Sequence, residues 1–175
     1  KVLARFMGRL SSALCDAGAD CAWVWDDLGF ADGPFFSPAN YRKYVMPSHQ
    51  AITKPFRDEG KPCVLHSDGN INLLIPDLMD AGFTVLQPLE VNAGMDVIEL
   101  KDKYGDDLAF IGNIDKFVLE TNDIEKIKGE VLPKMKRASE GGGYVLCSDH
   151  SISTKVDLNT FEAFSKMPKK YGIYS

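Results

Sequence analysis

The feature that most constrains the fold is a repeated order of helix, glycine-containing turn and short apolar strand. Amphipathic helical segments alternate along the chain with short apolar runs, and each run is entered through a turn that contains glycine. The predicted strands cover residues 21–25, 63–66, 83–87, 108–111 and 144–147. Short strands that alternate with helices pair in parallel through helical crossovers, so the predicted fold class is α/β.

The number of these units leaves two α/β architectures open. Five units could form a doubly wound sheet, or they could be the later part of a (β/α)8 barrel. The 175 residues suffice for one domain with a real core, so we expect a single domain over residues 1–175. The chain has no initial methionine and opens in a helical pattern, which predicts that a further segment precedes it in the full protein.

Charge and composition exclude several classes of partner. A net charge of −5 and an isoelectric point near 5.2 provide no basic surface for phosphates, so no nucleic-acid partner is expected. No apolar stretch approaches the roughly 20 residues that span a bilayer, so no membrane is expected. The four cysteines show no CxxC spacing, which indicates buried free thiols in a reducing cytoplasm.

Polar side chains follow every predicted strand. The carboxyl ends of parallel strands meet at one edge of a sheet or one mouth of a barrel, where active sites are built. Carboxylates and imidazoles gathered there can bind a divalent cation, transfer protons or hold the polar groups of a substrate. These strand-end residues are Asp26 and Asp27, His66 and Asp68, Gln87 and Glu90, Asn113 and Asp115, and Asp149 and His150.

Each of these pairs also has a purely structural interpretation. The i, i+2 spacing of His66 and Asp68 places both side chains on one side of an extended segment, as a chelate requires, but they could equally bond the backbone of the following turn. Asp26 and Asp27 could be a general acid and base, bind substrate, or cap a turn. His49, in a helix after a proline, is interpreted as a surface or packing residue.

Four segments resemble the uroporphyrinogen decarboxylase superfamily. They are FSPANYRKYVMP at 36–47, HSDGN at 66–70, IGNID at 111–115 and GYVLCSDHSI at 143–152. The resemblance covers nearly the whole chain. It implies a (β/α)8 barrel, of which this chain would form the later strands.

Within that superfamily the chain is most similar to the zinc-dependent, corrinoid-linked methyltransferases. Their His-x-Cys-Gly-Asn element resembles residues 66–70, and a late cysteine of theirs matches His150. In that branch three side chains hold zinc, which lowers the pKa of a bound thiol so that it can attack the methyl donor. This chain offers Asp68 and His150 at the two cysteine positions, a harder and more oxygen-rich set of ligands.

The resemblance therefore implies a methyltransferase that moves a methyl group between a corrinoid protein and a thiol-type acceptor. Its implied zinc ligands are His66, Asp68, Glu90 and His150. Asp26, Asp27 and His150 would be catalytic. The substrate-binding residues would be Asp26, Asp27, Asn113 and Asp115.

Two alternatives stay open. A uroporphyrinogen decarboxylase would need no metal, and His150 also matches a histidine of that branch. A partial barrel could instead bind a small molecule without catalysis. Five of eight strands would leave two sheet edges unpaired, through which a homo-oligomer could form. Self-association without metal or ligand would favour this last alternative.

Overall fold

The computed structural model describes residues 2–172 and divides the chain into two compact units, residues 1–86 and 87–175. The expectation of a single domain stays a prediction. The first unit contains, in chain order, α1 (Val2–Asp16), β1 (Ala22–Trp25), β2 (Gly29–Phe30), β3 (Gly33–Pro34), α2 (Pro38–Asn40), a π-helical segment (Tyr41–Val45), α3 (Met46–Asp58), β4 (Cys63–His66), a 3-10 turn (Asn72–Leu74), α4 (Ile75–Asp80) and β5 (Val85–Gln87), which ends at the boundary.

The second unit contains the remaining helices and strands. They are a 3-10 turn (Val91–Ala93), α5 (Val97–Tyr104), β6 (Ala109–Ile114), α6 (Lys116–Leu119), α7 (Ile124–Ala138), β7 (Tyr144–Ser148) and α8 (Leu158–Tyr171). The strands β1, β4, β5, β6 and β7 form a sheet in chain order. Helices connect successive strands of this sheet. The prediction of an α/β fold with parallel strands and helical crossovers is therefore confirmed.

The parallel pairing of β1 with β4 places two predicted site segments side by side. Trp25 lies opposite His66 in the register, and the Asp26 amide donates to the His66 carbonyl at 3.0 Å. Because both strands run in the same direction, the polar residues that follow them leave the sheet at the same edge. This pairing brings residues 26–27 and 66–68 together within the first unit.

A helix opens after Ser37, and its second turn is wider than a regular α-helical turn. The Ser37 hydroxyl accepts from the Asn40 amide, and Pro38 occupies the first helical turn. The π-helical segment follows, with the Met46 amide bonded to the Tyr41 carbonyl. Pro47 has no N–H to donate to the residue four positions back, and the helix continues past it through this π-helical widening.

The core of the second unit packs α7 against the sheet. Asp123 caps this helix by accepting from the amides of Glu125 and Lys126. Its buried face recurs at three- and four-residue intervals, as an amphipathic helix requires. That face consists of Ile127, Val131, Met135 and Ala138, while Phe110 and Ile114 of β6 are fully buried. Each large apolar side chain buried there contributes about 1.5–3 kcal/mol.

Several small elements were not predicted, among them a hairpin and one turn of helix. The hairpin of β2 and β3 has only two residues in each strand, too short for the alternation that reveals strands. One turn of helix, α6, begins where Asp115 accepts from the Phe117 amide. Among residues 2–172, no helix is both long enough and apolar enough to cross a membrane.

Candidate metal centre

Asp27, His66 and Asp68 form a compact cluster of potential metal ligands in the first unit. One donor atom from each side chain lies within 4.8 Å of the other two. The His66 Nε2 atom is 3.9 Å from the Asp27 Oδ1 atom and 3.9 Å from the Asp68 Oδ1 atom. All three side chains are partly accessible to solvent, which leaves room for a further ligand. The predicted proximity of His66 and Asp68 is thus present in the structure.

Backbone hydrogen bonds hold the two loops of this cluster together. The Asp27 carboxylate accepts from the Asp68 amide at 3.0 Å. The Leu28 amide donates to the Ser67 hydroxyl, also at 3.0 Å. Gly69 has a φ of +79°, and a Cβ atom there would collide with the Gly29 carbonyl. The glycine after Asp68 is therefore required for the two loops to approach this closely.

The chemistry and spacing of these donors fit a zinc ion. Zinc is bound by histidine nitrogen and carboxylate oxygen at about 2.0–2.2 Å, which places tetrahedral ligand atoms about 3.4 Å apart. The observed separations of 3.9 Å need only small side-chain rotations to reach that arrangement. One imidazole and two carboxylates make the site harder than a thiolate site. Asp27, predicted as a catalytic and substrate-binding residue, therefore lies among the candidate ligands.

Asp26 points to a different partner from its neighbour. Its Oδ2 atom is 2.9 Å from the His49 Nε2 atom, and the His49 Nδ1 atom is 2.9 Å from the Tyr41 hydroxyl. His49 is 2% exposed and Tyr41 is fully buried. His49 does pack in the interior, but its bond to Asp26 was missed. The available signal was the pair of a tyrosine and a histidine on either side of a helical proline.

In the second unit, Asp149 ties together loops that carry three predicted site residues. Its buried carboxylate accepts from the amides of Val91 and Lys116, both at 3.0 Å. Val91 follows Glu90, Lys116 follows Asp115, and Asp149 itself precedes His150. Burial raises the pKa of the Asp149 carboxyl above its ordinary value, although the two amide bonds oppose that rise.

The three residues beside this junction have distinct surroundings. Asp115 caps α6 and accepts from the Asn92 side chain at 3.2 Å. Glu90 precedes a 3-10 turn and accepts backbone bonds through its carbonyl. The His150 Nδ1 atom accepts from the Ser151 amide at 2.9 Å, so the neutral ring carries its proton on Nε2. Their predicted roles in metal binding, substrate binding and catalysis stay predictions.

Asn113 is fully buried and bonds the backbone of the segment 89–97. Its amide nitrogen donates to the carbonyls of Leu89 and Met95 at 2.8 and 2.6 Å. Its side-chain oxygen accepts from the Val97 amide at 3.1 Å. These bonds use the polar atoms of the side chain to shape the loop that contains Glu90. The predicted contact between Asn113 and substrate stays a prediction.

The described cysteines are free thiols with different degrees of burial. Cys15 and Cys63 are buried, whereas Cys21 and Cys147 are partly exposed, so the prediction of buried thiols holds for two of the four. Burial raises the pKa of Cys63 to about 11 and also raises that of Cys147. A thiol with a raised pKa is a poor source of the thiolate that zinc binds. Cys147 therefore makes a weaker ligand than an ordinary cysteine.

The chain is similar to two kinds of named enzyme. The sequence profile "Uroporphyrinogen decarboxylase (URO-D)" matches residues 1–171. The protein "Methylcobamide:CoM methyltransferase MtaA" of Methanosarcina barkeri is 30% identical over 162 residues, covering 92% of this chain and 44% of the relative. The "Uroporphyrinogen decarboxylase" of Pelodictyon phaeoclathratiforme is 28% identical over 162 residues, covering 89% of this chain and 43% of the relative.

A solved structure described as "methyltransferase from Methanosarcina mazei" is also similar. It superimposes with a TM-score of 0.72 at 26% identity, covering 97% of this chain and 48% of that chain. The prediction of a partial α/β barrel is confirmed by this likeness. The chain spans less than half the length of the curated relatives and of the solved structure described above.

Proposed function

Since the chain belongs to the uroporphyrinogen decarboxylase (URO-D) family, we propose that the full protein is a metal-dependent methyltransferase. It would move a methyl group between a corrinoid-bearing protein and a thiol-type acceptor. The observation that carries this proposal is the cluster of Asp27, His66 and Asp68. The similarity to a relative named methylcobamide:CoM methyltransferase supports the choice of reaction.

The three clustered side chains would hold the metal, with one imidazole nitrogen and two carboxylate oxygens. Bound zinc would lower the pKa of a thiol ligand and so make thiolate available near neutral pH. The two carboxylates would offset the charge of the cation. The bond from the Asp68 amide orients the Asp27 carboxylate. The Trp25 ring makes a tilted contact with the His66 ring at a centroid distance of 5.8 Å.

Glu90 and His150 are proposed as further metal ligands. His150 is also a candidate proton carrier. Ligation through His150 Nε2 would require that atom to lose its proton, and the Ser151 bond to Nδ1 would then be given up. Asp115 and Asn113 are retained as proposed substrate contacts. These second-unit roles rest on the family resemblance and on the position of the residues at strand ends.

Elemental mass spectrometry of the purified protein tests the metal site. We expect near-stoichiometric zinc in the wild type and its loss in His66→Ala and Asp27→Asn, because each change removes one of three clustered donors. Asp106→Asn, at an exposed turn, is the matched control and should retain the metal. Full zinc content in His66→Ala would contradict the proposal. Glu90→Gln and His150→Ala, measured alongside, test the second-unit ligands.

A decarboxylase acting on a tetrapyrrole is the second candidate, and the relatives named uroporphyrinogen decarboxylase favour it. One of these is the relative from Pelodictyon phaeoclathratiforme described above. That reaction would use carboxylates to protonate a pyrrole, and it would not require a metal. A wild type without zinc that binds coproporphyrinogen or uroporphyrinogen would favour this candidate over the methyltransferase.

We further propose that the first unit takes part in self-association. A partial barrel without catalytic activity would self-associate in the same way. Strand β1 is the first strand in the sheet order, and its Trp23 and Trp25 side chains are 51% and 78% exposed. Large exposed aromatic side chains on an edge strand favour pairing with a second copy. Light scattering should show a dimer that Trp23→Glu weakens. A wild type that is monomeric at every concentration would contradict this proposal.

A further inference from the structure

A network of hydrogen bonds runs from the interior of the first unit to the end of β1. The buried Tyr41 hydroxyl lies 2.9 Å from the His49 Nδ1 atom, and the His49 Nε2 atom lies 2.9 Å from the Asp26 carboxylate. The edge of the Phe83 ring contacts the His49 ring at a centroid distance of 5.1 Å. His49 is therefore fixed by a hydrogen bond at each nitrogen and by an aromatic contact.

The π-helical segment is what allows Tyr41 and His49 to meet. In a regular α-helix, residues about seven apart lie two turns apart on one face. The π-helical turn contains one residue more, so a separation of eight residues spans the same two turns. Pro47, between them, lacks the N–H that a regular turn would use. The widening thus brings a buried phenol and a buried imidazole onto one face.

When the His49 ring is neutral, the donors and acceptors of this network match in only one arrangement. An ionised Asp26 accepts only, so the His49 Nε2 atom must carry the proton that it donates. The Nδ1 atom of the neutral ring then accepts from the Tyr41 hydroxyl. Burial and the charges of Asp77 and Asp26 raise the pKa of Tyr41, so the phenol keeps its proton at ordinary pH. Every polar atom at these two contacts has a partner.

This network ends at Asp26, one residue before the candidate metal ligand Asp27. Asp26 bonds His49 on α3, whereas the next residue, Asp27, accepts from the Asp68 amide through its carboxylate. The Asp26 amide also donates to the His66 carbonyl. Holding Asp26 through its side chain and its amide therefore fixes the backbone from which Asp27 projects.

We infer that Tyr41, His49 and Asp26 are positioning residues that hold the Asp27 carboxylate against His66 and Asp68. The inference deepens the proposed function and rests on it for the role of the cluster. It changes the role of Asp26 from a catalytic or substrate-binding group to a group that acts through its neighbour. The same network gives a role to His49, which lies far from the strand ends in sequence but is buried with both ring nitrogens hydrogen-bonded.

Hydrogen exchange of the Asp68 amide in the metal-free protein tests this inference. That amide donates to the Asp27 Oδ1 atom at 3.0 Å, so its exchange rate reports how firmly Asp27 is held. In Asp26→Ala and Tyr41→Phe we expect the Asp68 amide to exchange about tenfold faster. Asp26→Asn keeps an oxygen acceptor for His49 and should restore most of the protection. Unchanged Asp68 exchange in Asp26→Ala would overturn the inference.

Thr53→Val is the matched control for a general loss of stability. Thr53 lies one turn after His49 on α3, and its hydroxyl donates to the Ala81 carbonyl at 2.6 Å. The substitution removes a buried hydrogen bond from the same helix without touching Asp26. It should leave Asp68 exchange unchanged relative to the buried Leu65 amide. Equal acceleration in Thr53→Val and Tyr41→Phe would assign the effect to stability and overturn the inference.

The metal-free measurement separates this inference from the proposed function. If the wild type bound no zinc, the proposed metal chemistry would be wrong. The exchange result would still decide whether the network of Tyr41, His49 and Asp26 holds Asp27 in place. In a wild type that binds zinc, Tyr41→Phe should weaken zinc affinity about tenfold, as removal of a group that orients a ligand does. Unchanged affinity there would overturn the positioning role.

Discussion

His66→Ala is expected to lower the rate of methyl transfer by about a thousandfold, which corresponds to about 4 kcal/mol of lost transition-state stabilisation. His66 supplies the imidazole of the cluster, and the two remaining donors are the carboxylates of Asp27 and Asp68. Without that imidazole, the cluster loses its one nitrogen ligand and with it the metal that would activate the thiol. The measurement is kcat/KM for thiol methylation by a methylated corrinoid donor, using the full-length protein.

Asp106→Asn, again at an exposed turn, serves as the control that should keep the wild-type rate. Free imidazole added to His66→Ala should restore part of the activity, since it can occupy the vacated ligand position. A His66→Ala variant with the wild-type rate would contradict the metal-dependent mechanism. Equal activity of both proteins on a tetrapyrrole would instead favour the decarboxylase.

Asn113→Ala is expected to destabilise the protein by about 4 kcal/mol. The substitution leaves the carbonyls of Leu89 and Met95 and the Val97 amide without their present partner. Each buried polar group left without a partner costs about 1–3 kcal/mol. Asn113 also has a φ of +64°, a conformation that asparagine tolerates better than alanine. The measurement is the free energy of unfolding from denaturant titration followed by circular dichroism.

Asn122→Ala is a closely matched control. Asn122 has a φ of +54°, and its side chain bonds the Lys155 carbonyl and the Asp157 amide. Those bonds are exposed to solvent, so water can replace them and the expected loss is only about 1 kcal/mol. Equal losses for Asn113→Ala and Asn122→Ala would show that burial at Asn113 contributes nothing. A changed denaturant slope would indicate altered compactness instead.

The strand-end residues show how far local patterns lead. The alternation of strands and helices predicts that residues after β1 and β4 emerge together, and the structure confirms this for residues 26–27 and 66–68. The His66–Asp68 spacing is likewise readable, because side chains two apart in an extended segment share a side. The separate partners of Asp26 and Asp27 are not readable, because they depend on how α3 packs beside β1.

The sequence by itself determined the α/β class, the order of its elements and the segments that bear chemistry, because periodicity, glycine turns and strand-end polar residues act over a few neighbouring positions. Only the tertiary structure decided that Asp27 joins His66 and Asp68, and that His49 bonds Asp26. These contacts join residues 23 to 41 positions apart. Such pairings follow from the packing of whole elements, which no local pattern of residues contains.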